Sequence, residues 1–101
     1  MSGGLDMVLH PPARLQIAAM LARVDDVEFA VIKDVVEISD SVLSKHLSAL
    51  AEVGYAKVAK GKRDGRQRTW ASLTAKGRKA FAAHMAALHR LAEAAADAVP
   101  A

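Results

Sequence analysis

Apolar and polar positions follow distinct rhythms along this chain. After Pro11 and Pro12, the residues Leu15, Ile17, Ala18, Leu21, Ala22 and Val24 recur at helical spacing. The prolines suit the opening of a helix, whose first N–H groups have no partner anyway. Asp25 and Asp26 interrupt the pattern, and Val27, Glu28 and Phe29 read as a short strand. Val31, Ile32, Val35 and Val36 predict a second helix over 30–36, closed by a tight turn at Glu37 and Ile38. Leu43, Leu47 and Leu50 then fall at i, i+4 and i+7, a single apolar stripe on a third helix over 39–53. Ser39 is placed to cap it and Asp40 complements its positive end. Gly54 stands where a helix closes at positive φ. Ser41, Val42, Ser44, Lys45 and Ser48 lie away from the stripe.

From Tyr55 the pattern changes to that of a ribbon. Arg63-Asp64-Gly65-Arg66 supplies a tight hairpin turn, because Asp and Gly both tolerate positive φ. Trp70 and Leu73 can anchor the return strand on the helices. Thr74 is a cap for a last helix from Ala75 onward, in which Phe81, Met85, Leu88, Ala92 and Ala95 repeat at near-heptad spacing. The fold class is therefore mostly α with a small β-hairpin.

Composition narrows the chemistry. The 101 residues fit one domain with a modest core, which association with a second copy would help to stabilise. With no cysteine, disulfides and thiolate metal sites are excluded. Neither a signal-peptide pattern nor a stretch of membrane-spanning length is present, so no membrane association and a cytoplasmic location are expected. An enzyme is not expected: there is no Gly-rich phosphate loop and no Ser/His/Asp constellation, and a turn explains the one adjacent acidic pair, Asp25 and Asp26.

The net charge is only +3, but it is unevenly spread. Residues 1–53 carry four Lys/Arg and eight Asp/Glu, a balance of −4; residues 54–101 carry ten and three, a balance of +7. Lys57, Lys60, Lys62, Arg63, Arg66 and Arg68 crowd the hairpin against Asp64 alone. Such a field attracts a polyanion. The bland alternative is a solvated hairpin whose lysines blunt an edge strand. A slim helix with small polar groups beside a cationic ribbon suits duplex DNA.

In order, these elements resemble the winged helix-turn-helix transcriptional regulators, above all short winged-helix DNA-binding domains similar to the MarR-type and ArsR-type repressors. The resemblance covers roughly residues 11–90. It rests on Ile38-Ser39-Asp40-Ser41-Val42-Leu43-Ser44-Lys45-His46-Leu47, on the Asp64-Gly65-Arg66 wing tip, and on Leu73-Thr74-Ala75-Lys76-Gly77-Arg78. It implies an N-terminal tail over 1–10, a DNA-binding domain over 11–74 and a C-terminal dimerisation helix over 75–101. It also implies a homodimer on a pseudo-palindromic double-stranded operator, acting as a repressor or activator without a cofactor. Ser39, Ser41, Val42, Ser44, Lys45 and Ser48 would then face the major groove. Lys60, Lys62, Arg63, Arg66 and Arg68 would meet backbone or minor groove. Phe81, Met85, Leu88 and Ala92 would pair the subunits, with help from Leu5, Met7, Val8 and Leu9.

Two alternatives share this architecture. A protein-interaction module would present the same surfaces without sequence-specific DNA binding. A metal-responsive repressor would need ligands such as His84, His89, Glu93, Asp6 or His10 across a dimer; His84 and His89 are five apart, which does not put two imidazoles on one helix face. His46 falls in the third helix as a packing or phosphate-contacting residue, whose charge would alter DNA affinity near neutral pH. Whether any small effector binds is left open.

Overall fold

The computed structural model describes residues 4–98. The outer ends of the tail expected over 1–10 and of the terminal helix expected over 75–101 lie outside the described residues.

The helices form where spacing and caps direct them. Helix α1 (Pro12–Ala22) opens with proline in its first turn and buries Ile17, Ala18 and Leu21. A two-residue strand β1 (Val27–Glu28) leads into α2 (Phe29–Val36), whose only buried residue is Ile32, flanked by Phe29 and Val36 packed on the core. Val31 and Val35, grouped with these by spacing, instead face solvent. Glu37 adopts a left-handed conformation at φ 58° and ends α2. Only Ile38 and Ser39 separate Glu37 from the next helix, α3 (Asp40–Glu52). Ser39 Oγ accepts from the Val42 N–H at 3.2 Å, and Lys33 of α2 meets Asp40 at 3.0 Å. Leu43, Leu47 and Leu50 are buried as their stripe requires. Gly54, at φ 80°, turns the chain into the ribbon.

That ribbon pairs β2 (Ala56–Arg63) with β3 (Arg66–Leu73) through an Asp64–Gly65 turn with both residues at positive φ. Strand β1 adds to the other edge of β3, giving an antiparallel sheet of order β1-β3-β2. The Thr74 hydroxyl accepts from the Gly77 N–H at 3.0 Å and donates to the Gly54 carbonyl at 2.6 Å, so it caps α4 (Ala75–Ala98) and closes the wing's root at once. Arg78 then donates to the Ala22 and Val24 carbonyls, satisfying acceptors that α1 leaves open at its C-terminus.

The core unites α1, α2, α3 and the base of the wing: Ile17, Leu21, Ile32, Leu43, Leu47, Leu50, Ala56, Ala71 and Leu73, with Leu9 among them. Leu9 is 0 % exposed, which corrects the expectation of a tail through residue 10. The segment from Asp6 onward is docked because it has an apolar side chain to bury and several hydrogen bonds to make. The terminal helix divides in two. Its first half packs on the core through Ala80 and Phe81, and Gly77, His84 and Ala87 on it are buried. From Leu91 to Asp97 every residue is exposed, and the molecule is accordingly elongated, 59 × 25 × 21 Å. Phe81, expected between subunits, is packed against the core of its own chain.

Candidate nucleic-acid interface

With Leu43, Leu47 and Leu50 held inward, helical geometry turns the intervening residues outward. Ser39, Ser41, Val42, Ser44, Lys45 and Ser48 are all exposed, Val42 to 40 %. An apolar side chain left in solvent in the middle of this polar row is available to a thymine methyl group rather than to the core.

Strand register decides where the wing residues point. Lys60 stands opposite Thr69 and Lys62 opposite Gln67, so these four share one face of the ribbon. That face looks across a groove of about 370 Å³ to Ser44 and Ser48 of α3, with Phe29, Leu47 and Val58 forming its floor. The third helix and the lysine face of the wing therefore form one continuous surface. Arg63 and Arg66 pair on the opposite face. There the Arg63 guanidinium lies 5.0 Å from the centre of the Trp70 ring, a cation–π contact. At the tip itself, residues 62–67 are all exposed, and Lys62 and Arg66 project from its two sides.

Arg68 departs from its expected role. Its Nη1 donates to Glu28 Oε1 at 2.6 Å. Because β1 pairs with β3, Glu28 lies opposite Trp70, and Arg68 is its diagonal neighbour on the same face. The nearest countercharge is thus within the chain, and Arg68 braces the wing against β1 rather than reaching for a phosphate. The signal for this was the short Val27–Glu28 strand, whose partner could not be read locally.

His46 on the inner flank of α3 accepts from Arg14 Nε at 3.3 Å. Burial, then the Arg14 charge, hold its pKa below the ordinary histidine value, so the neutral form that accepts this bond is favoured. The histidines and acids considered as metal ligands fall in two separate places on the chain. His89 pairs with exposed Glu93 at 3.1 Å, whereas His84 is buried against Asp6 and His10, and no metal-binding group of three or more His, Asp or Glu forms among the described residues.

A family model described as a winged helix DNA-binding domain matches residues 13–92. An uncharacterized protein of Methanocaldococcus jannaschii is 32 % identical over 74 residues, spanning 73 % of this chain and 80 % of that protein. Among solved structures, a transcriptional regulator homologue from Pyrococcus horikoshii superposes with a TM-score of 0.83 at 25 % identity, covering 88 % of each chain. The PcaV transcriptional regulator of Streptomyces coelicolor shares the fold, with a TM-score of 0.75 at 16 % identity over 96 % of this chain and 67 % of that one. With its capped third helix, hairpin wing and extended terminal helix, the chain belongs to the winged-helix DNA-binding domain family, and its architecture is that of the MarR-type transcriptional regulators.

Proposed function

We propose that this protein is a sequence-specific regulator of transcription that binds duplex DNA as a homodimer and represses by occupying its operator. The observation that carries the reading is the shared surface of α3 and the wing: Ser44 and Ser48, from the helix's exposed row of small polar side chains, face the same groove as Lys60 and Thr69. In the complex α3 lies in the major groove. Ser41, Val42, Ser44, Lys45 and Ser48 meet base edges, Ser39 meets backbone at the helix start, and the wing tip follows the neighbouring backbone or minor groove. Lys45 is the side chain best suited to a guanine edge. A bound dimer excludes polymerase from the DNA it covers, so repression is the simplest consequence. Such a regulator works in the cytoplasm alongside the genome.

The homodimer is supported by the distal half of α4. The buried positions Gly77, His84 and Ala87 define a stripe that Leu91 continues beyond the edge of the chain's own core, where it is 57 % exposed. Met85, at 42 %, is uncovered nearby, with Ala92 also exposed. A short helical extension without packing is marginal in water. A second copy related by a two-fold axis would cover it and would present two α3 helices to half-sites about one helical turn apart. Met85, Leu88, Leu91 and Ala92 are assigned to that interface.

Selection of bound fragments from random duplex DNA, followed by titration at several salt concentrations, tests the function. A pseudo-palindromic preference and a steep salt slope are expected, and Ser44→Ala with Lys45→Ala should blunt the preference more than the total affinity. Weak binding with a flat salt slope would instead identify a protein-interaction module. The dimer has its own check. Leu91→Asp removes two buried leucines from a symmetric interface, each contributing about 1.5–3 kcal/mol, so the dimer dissociation constant should rise at least about 100-fold. Sedimentation equilibrium measures this; a wild-type chain that is monomeric at micromolar concentration would exclude the dimer.

A further inference from the structure

The N-terminal segment makes more polar contacts with the rest of the chain than its position requires. The Asp6 N–H donates to His84 Nδ1 on α4 at 2.9 Å. Asp6 Oδ2 accepts from the Tyr55 hydroxyl, at the root of β2, at 2.6 Å, and Oδ1 accepts from the Val8 N–H at 2.9 Å. The Val8 carbonyl accepts from Arg14 Nη1 at 3.1 Å, and the same guanidinium reaches His46 on α3. Leu9 is sunk in the core beside them. One short segment thus touches the terminal helix, the wing's root and, through Arg14, the inner flank of the helix that faces DNA.

We propose that residues 6–9 are a latch that positions α3 and the wing for DNA, with Asp6 and His84 as the positioning pair that holds it shut. The bond to Nδ1 requires that nitrogen to be unprotonated, so the neutral ring carries its proton on Nε2. That Nε2 is buried and has no hydrogen-bond partner. The closed latch therefore spends a buried donor to keep Nδ1 as an acceptor. Proton uptake at Nδ1 sets two donors against each other and breaks the contact. Undocking would free Arg14 and Tyr55, the two groups that tie the segment to either end of the DNA-binding surface.

The groups facing His84 are Asp6 and His10 of the segment, with the His10 ring edge-on at 5.4 Å. Tyr55 stands behind Asp6, Arg14 of α1 lies beyond Val8, and the Arg90 guanidinium on α4 lies beside Gly4. Burial lowers the His84 pKa below its ordinary 6.5, the His10 charge lowers it further, and Asp6 opposes both. The released segment leaves the ring free to bind a proton at its ordinary value. Closure is consequently strongest above that value and weakens as the pH falls through it toward the lowered docked value.

The test compares full-length wild type with His84→Asn, which keeps an acceptor near Nδ1 but does not titrate, and with Asp6→Ala, which removes both carboxylate contacts, to Tyr55 and Val8, and leaves only the backbone N–H that meets His84. Backbone hydrogen exchange over residues 6–9, corrected for intrinsic rates, is read at about pH 8 and about pH 5.5, on either side of the ordinary histidine value. Affinity for a DNA duplex is measured in parallel. Wild type should lose protection and about tenfold in affinity at the lower pH. The asparagine variant should retain both, and Asp6→Ala should be open and weak at each pH. If wild-type protection does not change with pH, or changes equally in His84→Asn, the latch is wrong. If the segment opens while DNA affinity holds, its positioning role is wrong. The affinity arm rests on the proposed DNA-binding function, but the exchange arm does not. A protein that binds no duplex at any pH fails that function, and the exchange arm then still decides whether Asp6 and His84 form a proton-sensitive latch.

Discussion

Replacing Lys62 and Arg66 with glutamate lowers affinity for duplex DNA by about two orders of magnitude at about 0.1 M salt, and does so for all sequences alike. Both side chains stand exposed at the wing tip, one on each side, and neither forms an ion pair among the described residues. Each phosphate contact displaces condensed counterions and contributes roughly 0.9 of a decade at that salt concentration, so two lost contacts amount to about 60-fold. Repulsion by the new carboxylates adds to the loss, and the slope of log affinity against log salt should fall by about two. Lys79→Glu, on α4 and away from the wing, changes net charge in the same direction and should have little effect. Gel-shift or anisotropy titrations over a salt series provide the measurement. Affinity that survives the double reversal would show that the wing does not lie along the DNA. Arg63 is a poorer choice for this experiment because its guanidinium already rests on Trp70, and Arg68 poorer still because Glu28 holds it.

Gly77→Ala should be the most damaging single-methyl change in the chain. Gly77 is buried in the first turns of α4, and a Cβ there would fall on the Tyr55 carbonyl, 2.8 Å from its carbon and against its oxygen. That oxygen accepts from the Thr74 N–H at 3.0 Å and so cannot swing aside without losing its bond. In an open helix, Ala in place of Gly would stabilise by about 0.5–1 kcal/mol. Here the overlap is with backbone, which no rotamer change relieves. α4 must lift from the junction between α3 and the wing, disturbing the Thr74 cap, and overpacking of this kind costs roughly 3 kcal/mol or more. The clash wins, and the melting midpoint should drop by more than about 10 °C. Gly61→Ala is the control, since nothing lies within 4 Å of its added carbon. A Gly77→Ala protein that melts with wild type would mean that α4 is not seated as described.

The elements most legible in the sequence are those governed by neighbours in the chain. The leucine stripe at 43, 47 and 50 fixed the inner face of α3 and, by exclusion, its outer one. Ser39, Gly54, Asp64–Gly65 and Thr74 marked boundaries through local hydrogen bonding and positive φ, and each acts where it stands. The winged fold could be assembled from these signals, along with the exposed serine row and the charged hairpin. What misled was long-range. Arg68 looked like any other wing cation until β1 brought Glu28 beside it. Phe81 fitted a heptad with Met85 and Leu88, yet α4 meets its own core first and leaves only its far half uncovered. Leu91 was passed over because the near-heptad set skips it, although it continues the buried stripe.

By itself the chain determined the order of helices and strands and their ends to within a residue or two (Phe29, read as strand, opens α2), which face of α3 is polar, and where cations gather. Those properties follow from torsion preferences, periodicity and charge within a few residues. Only the tertiary structure decided which wing cations are held within the chain, that residues 6–9 are docked rather than loose, and that His84, Tyr55 and Arg14 converge on Asp6 and Val8. The reason is that a side chain's partner in space depends on how elements far apart in sequence pack. Asp6 and His84 are 78 residues apart along the chain and meet only because α4 returns across α1 to the place where the N-terminal segment lies.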